Sequence, residues 1–233
     1  MPPTIDHTRL PDLPIFSALT EAGRRDLAEH TAEVRYDKGE HIFREGEPAE
    51  YFHVLLSGTV KCVKSSPEGK EAVLKVLAPG DMFCCEAAVF DGGEHPGCAQ
   101  PTGPVKVLKI AKQAYFRLLK DNPEAALEII RYLGHRLNES QETAKTFALE
   151  RADQRVASLL ARLAERIGKD IPGGLLLDIQ LGRQDIADMT GLALETTIRT
   201  ISKLTRDGLL GKSGRSLVVK DLKGLKALTA SPA

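Results

Sequence analysis

Between Tyr36 and Ile110 the apolar positions come in short runs that alternate with polar ones and are cut by turn residues. His41-Ile42-Phe43, Tyr51-Phe52-His53-Val54-Leu55-Leu56, Thr59-Val60-Lys61-Cys62-Val63-Lys64, Ala72-Val73-Leu74-Lys75-Val76-Leu77 and Val105-Lys106-Val107-Leu108-Lys109-Ile110 are the candidate strands. Lys38-Gly39-Glu40, Glu45-Gly46-Glu47-Pro48, Ser57-Gly58, Ser65-Ser66-Pro67-Glu68-Gly69-Lys70 and Ala78-Pro79-Gly80-Asp81 separate them. Many short strands at spacings of roughly ten residues predict a β-sandwich or barrel.

The period then changes to that of a helix. Asp121-Asn122-Pro123 is a start signal, with Asn122 placed to cap and Pro123 in the first turn. Beyond it Ala126, Ile130, Leu133, Leu137, Ser140, Ala144 and Phe147 recur at alternating steps of four and three. This narrow stripe predicts a coiled-coil-like dimerisation helix. The alternative is a long helix packed on its own domain, which would show a wider stripe. A hinge is expected near Glu150–Asp153, then a helix through Val156, Leu159, Leu160 and Leu163 to Ile167-Gly168. Gly173-Gly174 is expected to turn into a short strand over Leu175–Ile179.

Leu181 to Leu204 carries the most informative pattern. A helix-turn-helix needs a small residue where its helices cross, a Gly at the turn, and apolar positions that hold the second helix down. Ala187 and Gly191 meet the first two needs, and Ile198, Ile201 and Leu204 are expected to meet the third. Glu195, Thr196, Arg199, Lys203 and Arg206 then face outward. Arg can bind guanine bidentately and Glu can accept from a cytosine amino group in the major groove. Lys212-Ser213-Gly214-Arg215 reads as the turn of a two-stranded wing, with Lys212 and Arg215 suited to phosphate. The competing reading of Glu195 and Arg199 alone is an ordinary i,i+4 pair on a surface helix.

Charge supports the DNA reading only weakly. The net charge is zero, but from Arg151 onward there are 14 Lys and Arg against 9 Asp and Glu, leaving 18 against 23 before it. The basic surplus lies on the helix-turn-helix side. No apolar run approaches the about 20 residues of a membrane span, and the start Met1-Pro2-Pro3 lacks the basic and apolar regions of a signal peptide. With Cys84 and Cys85 adjacent, the four cysteines suit a reducing cytoplasm better than a disulfide framework. A β-roll enzyme of the cupin kind would need clustered His ligands. His7, His30, His41, His53, His95 and His135 are scattered, so no enzyme is expected.

Gly39…Ile42-Phe43-Arg44-Glu45-Gly46-Glu47, Leu56-Ser57-Gly58-Thr59-Val60, Gly69-Lys70-Glu71, Pro79-Gly80-Asp81-Met82-Phe83 and Arg183-Gln184-Asp185-Ile186-Ala187 together resemble the CRP/FNR family of bacterial transcriptional regulators. The resemblance runs from about Pro14 to Lys226. It implies an α+β chain with an N-terminal β-roll (jelly-roll, cupin-like) sensor domain over 1–122. A dimerisation helix and hinge over 123–152 and a winged helix-turn-helix domain over 153–233 would follow. It implies a homodimer on a palindromic operator in double-stranded DNA, with RNA polymerase as partner if the protein activates. The DNA-contacting set would be Arg183, Gln184, Glu195, Thr196, Arg199, Lys203, Lys212 and Arg215. The FNR-like branch has a Ser immediately before its Arg; here that position is Ile198, so the FNR-type half-site is not implied.

The effector region departs from the family's cyclic-nucleotide sensors. Those carry Gly-Glu and, further on, an Arg-Ser or Arg-Thr that binds the cyclic phosphate. Here Cys85-Glu86 stands at the first place and Pro96-Gly97 at the second, so a buried phosphate would lack its compensating Arg. Cys84, Cys85, Glu86, Ala87 and Cys98, with Ser140 and Gln141 on the long helix, are the candidate effector residues. Four readings stay open, of which cyclic-nucleotide binding is the least favoured. In one the cysteines are buried small hydrophobes beside an unknown small molecule. In another, by similarity to the family's haem-based carbon monoxide sensors, Cys84 and an N-terminal proline would ligate haem. In the third a thiolate-bound metal or redox pair forms from Cys84, Cys85, Cys98 and His95. On a strand Cys84 and Cys85 would point to opposite faces and could not ligate together.

Overall fold

The computed structural model describes residues 6, 10, 13, 16–66, 71–179 and 181–230. Two compact units emerge, Met1–Glu71 with Lys75–Asn138 and Ala72–Leu74 with Glu139–Ala233, so the division falls within the long helix. Among the described residues no helix is long and apolar enough to cross a membrane.

The first unit opens with α1 (Glu21–Glu29), capped by Thr20, whose hydroxyl accepts from the Gly23 N–H. The strands β1 (Thr31–Tyr36), β2 (Tyr51–Ser57), β3 (Val60–Ser65), β4 (Glu71–Leu77), β5 (Met82–Phe83), β6 (Cys98–Pro101) and β7 (Val105–Ala111) follow, with the short helix α2 (Cys85–Ala88) after β5. They form one sheet in the order β1-β7-β2-β5 and another in the order β4-β3-β6. Val54, Leu55, Val107 and Leu108 from the first sheet share one core with Val60, Leu77 and Ala99 from the second. This is the expected two-sheet β-roll. Along β7, Val105, Val107, Leu108 and Ile110 are buried and Lys106 and Lys109 partly exposed, so the alternation slips at Val107-Leu108. On β2 it is lost altogether: Phe52 to Leu55 are all buried because both faces are covered. Phe52 stacks on Tyr115 of α3 (Lys112–Asp121), with ring centroids 3.9 Å apart. The next residue, His53, turns to the other face.

The helix α4 (Pro123–Leu149) starts where the sequence placed it. Asn122 contributes its carbonyl to the Ala126 N–H. Its side-chain amide turns back instead, donating to the Leu118 carbonyl of α3, and its Oδ1 accepts from Thr20. The helix has two apolar faces where the sequence reading found one. Ala125, Ile129 and Tyr132 pack on the roll, while Ile130 and Leu137, at 63% and 60% exposure, lie in an uncovered row with Leu133 and Phe147. The Tyr132 hydroxyl accepts from the Met82 N–H at 2.9 Å and donates to the Met82 carbonyl at 2.8 Å.

In the second unit α5 (Ala152–Ile167) buries Val156, Leu159, Leu160 and Leu163. The Arg151 N–H ahead of it donates to the Gln154 side chain at 2.9 Å. The hairpin β8 (Gly168–Ile171) and β9 (Gly174–Leu177) leads to α6 (Arg183–Thr190) and α7 (Leu194–Arg206). A second hairpin, β10 (Leu210–Ser213) and β11 (Ser216–Val219), and α8 (Leu222–Ala230) complete it. The expected two-stranded wing is half of a four-stranded sheet in the order β10-β11-β9-β8. β8 escaped the sequence reading because Gly168-Lys169-Asp170-Ile171 has neither alternation nor β-branched density.

Candidate DNA-reading helix and sensor core

Gly191 closes α6 in the left-handed conformation, at φ 63°. Its N–H donates to the Asp188 carbonyl and the Leu192 N–H to the Ala187 carbonyl, so the chain reverses tightly into α7. Ala187 is fully buried at the helix crossing. The inward face of α7 is Thr197, Thr200, Ile201 and Leu204. Ile198 does not hold the helix down as expected; it is 43% exposed. Thr197 takes the inward place instead, and its hydroxyl donates to the Ala193 carbonyl at 3.2 Å, which removes the cost of burying it.

Glu195 and Arg199 are both exposed, one turn apart near the start of α7. Arg199 donates to the half-buried Thr196 hydroxyl at 3.4 Å, and among the described residues no ion pair joins it to Glu195. That counts against the ordinary surface-pair reading. Gln184, exposed at the start of α6, donates to Asp188 at 2.7 Å, and Arg183 beside it is half-buried. Lys203 is held by Asp153 at the start of α5, 3.3 Å away. Burial would raise the Asp153 carboxyl, but the Lys203 hydrogen bond and charge, with a backbone N–H, outweigh it and hold the group below its usual range. Lys212 and Arg215 are exposed on the β10–β11 hairpin, whose turn Gly214 has φ 58°.

The sensor core gathers around Cys84. β5 ends at Phe83, so Cys84 and Cys85 do not alternate along a strand as expected. Cys84 sits in the left-handed region at φ 72°, and Cys85 opens α2; the Cys85 side chain lies outside the described part. Cys84, 2% exposed, has its Sγ 2.9 Å from His95 Nδ1. The segment Phe43–Glu47 fixes that histidine. Gly46 N–H donates to the His95 carbonyl, His95 N–H donates to the Glu47 carbonyl, and the Phe43 ring stacks on the imidazole at 3.7 Å. Burial lowers the His95 pKa against the opposing pull of Glu47 and Glu86, so the neutral ring is favoured beside the Cys84 sulfur.

The other proposed thiol does not join. Cys98 Sγ accepts from the Glu45 N–H at 3.4 Å, and among the described residues no group of three His, Cys, Asp or Glu side chains gathers to hold a metal. The N-terminal prolines of the haem reading, Pro2 and Pro3, lie outside the described residues. Ala87 is buried beside Cys84, while Ser140 and Gln141 are exposed on α4. Glu86 is half exposed, 3.3 Å from Lys75 Nζ. Burial would raise its carboxyl, but Lys75, the backbone N–H of Glu86 and Arg136 bring it below the usual range. Desolvation pushes the Cys62 thiol up to about 11, with Lys75, Glu86, Arg136 and Asp81 all acting on it. The sequence reading missed Lys75 and Arg136, which come to Glu86 from β4 and α4.

Comparison with known proteins agrees with this arrangement. Residues 33–122 match the cyclic nucleotide-binding domain and residues 154–228 the Crp-like helix-turn-helix domain. The chain is 27% identical over 211 residues to a CRP-like cAMP-activated global transcriptional regulator of Mycobacterium tuberculosis, covering 91% of this chain and 94% of that one. It is 26% identical to the nitrogen fixation regulation protein FixK of Bradyrhizobium diazoefficiens, over 93% of this chain and 90% of the relative. The structure of FixK2 from Bradyrhizobium japonicum superposes with a TM-score of 0.73 at 27% identity, covering 87% of this chain and 99% of that one. With both domains matched in order and the helix-turn-helix complete, the chain belongs to the CRP/FNR family of DNA-binding transcriptional regulators, which are not enzymes.

Proposed function

We infer that the protein acts in the cytoplasm as a homodimer that binds a palindromic operator through α7, with affinity set by a signal received in the β-roll. The sensor would be residues 1–122, the dimerisation helix and hinge 123–152, and the DNA-binding domain 153–233. The observation that carries this reading is the outward presentation of Glu195 and Arg199 on a helix held down by Thr197, Thr200, Ile201 and Leu204. Arg183, Gln184, Thr196, Lys212 and Arg215 supply further polar and phosphate contacts. The uncovered row Ile130, Leu133, Leu137 and Phe147 supports a partner helix along α4, because water-exposed apolar stripes of that length are costly unless covered. RNA polymerase is a further partner if the regulator activates.

The signal is a small molecule other than cyclic AMP. One relative is cAMP-activated, but Pro96-Gly97 here offers no Arg to a cyclic phosphate. Haem ligation by Cys84 would require its contact with His95, at 2.9 Å, to open. A second reading, a cysteine-based redox or metal sensor, is favoured by that same Cys84–His95 contact. The test of the main reading is selection of an operator from a random-sequence pool, followed by binding measurements with Arg199→Ala. Loss of a bidentate guanine contact should lower the preference for the selected site roughly tenfold to a hundredfold. Undiminished preference would sink the assignment of Arg199.

A further inference from the structure

Glu195, Arg199 and Lys203 form an exposed stripe along α7 at steps of four, each about 40° round the helix from the one before. The last member differs from the other outward cations. Among the described residues Arg199, Lys212 and Arg215 have no carboxylate partner, whereas Lys203 Nζ stands 3.3 Å from Asp153 Oδ2. The carboxylate is fixed at its other oxygen. Asp153 Oδ1 accepts from the Gln154 N–H at 3.1 Å and lies 3.9 Å from Arg151 Nε. Asp153 belongs to the first turn of α5, where the unsatisfied N–H groups favour a negative charge. Its side chain is 24% exposed against 54% for Lys203, so the acid is the anchored partner of the two. An exposed ion pair of this kind adds little to stability. Its effect is on what the lysine can reach. A lysine gains DNA affinity by displacing counterions from phosphate, and one already paired to a carboxylate has less charge to offer there.

We propose that Asp153 attenuates DNA binding by holding Lys203 off the phosphate backbone, so that removing the carboxylate makes Lys203 a phosphate contact in each half-site. This rests on α7 being the reading helix of a homodimer, and the experiment separates the two claims. Full-length parent, Asp153→Asn, Lys203→Gln and the double variant are first checked for folding by circular dichroism. Asp153→Ser, which can still accept from the Gln154 N–H, replaces Asp153→Asn if that variant unfolds. Each is titrated by fluorescence anisotropy against a selected operator and one arbitrary duplex, over about a tenfold range of salt. Each phosphate neutralised steepens the log–log salt slope by about 0.9, so Asp153→Asn should be steeper than the parent by about 2. At about 0.1 M salt that slope is worth up to about sixtyfold in affinity relative to 1 M, on both duplexes alike, because phosphate contacts carry no sequence preference. Lys203→Gln alone should move the parent's slope by less than about 0.5, and in the Asp153→Asn background it should cancel the gain. A parent that loses about 2 in slope on Lys203→Gln overturns the proposal, because Lys203 would already contact phosphate. So does an Asp153→Asn gain that survives Lys203→Gln, or no gain at all. If Arg199→Ala leaves operator preference intact while the Asp153 effect persists, the reading of Arg199 fails and that of the Asp153–Lys203 pair stands. Absence of binding to either duplex overturns both.

Discussion

His53 gives the sensor core a pH dependence whose sign and size follow from its surroundings. The ring is 2% exposed between Phe43 and Phe83, and among the described residues neither nitrogen has a partner. Burial, with the Lys109 charge and His95 adding to it, pushes its pKa down to about 3. In the unfolded chain the same ring titrates near 6.5. Between those values the unfolded chain binds one more proton than the folded chain. Stability from this group is therefore full above about pH 6.5 and declines as the pH falls toward 3. Each pH unit costs about 1.4 kcal/mol, so going from pH 7 to pH 5 removes about 2 kcal/mol through His53 alone. His53→Phe places an apolar ring among Phe43 and Phe83 and removes the proton site. Urea unfolding of the sensor at pH 7 and pH 5, on parent and variant, isolates the effect, because carboxylates act on both alike and cancel. With a slope of about 2 kcal/mol per molar urea, the parent's midpoint should fall by about 1 M more than the variant's. Equal falls would refute the reasoning.

Three further outcomes are expected. Tyr132→Phe keeps the ring but removes both hydrogen bonds to Met82, and should cost the sensor about 1–3 kcal/mol by denaturant unfolding; an unchanged midpoint would show that water replaces them without loss. Leu137→Glu puts a charge in the uncovered row of α4 and should weaken self-association at least tenfold in sedimentation, with the helical circular dichroism unchanged; an unaltered mass distribution would remove that row from the interface. Gly191→Ala meets nothing closer than 3.9 Å, so its cost comes from φ 63° alone, about 1 kcal/mol in thermal unfolding, and Gly191→Asn should cost less.

The architecture was legible because its signals are periodic. Alternating strands cut by Gly and Pro, the four-and-three steps of α4, and the Ala187–Gly191 spacing each follow from the geometry of one element. The failures came where burial obeyed something other than hydrophobicity. Steps of three placed Ile198 with Ile201 and Leu204, but the inward row of a helix with 3.6 residues per turn runs through Thr197 and Thr200. A threonine counts as polar in a pattern although its hydroxyl can be satisfied by its own helix, as the Thr197–Ala193 bond does. The second face of α4 was hidden because Ala125, Ile129 and Tyr132 interleave with the first. Nor does any local signal announce that Cys84 leaves the strand in a left-handed conformation, or that His95 arrives beside it.

The hydroxyl of Tyr132 is a single atom serving both the N–H and the carbonyl of Met82. Two bonds that share one oxygen cannot be lengthened independently. Any movement of that oxygen is felt by both bonds, which stand at 2.9 and 2.8 Å. A change at this one atom therefore bears on both backbone groups of Met82. Cys84 thus lies two residues along the chain from the backbone groups that this oxygen holds.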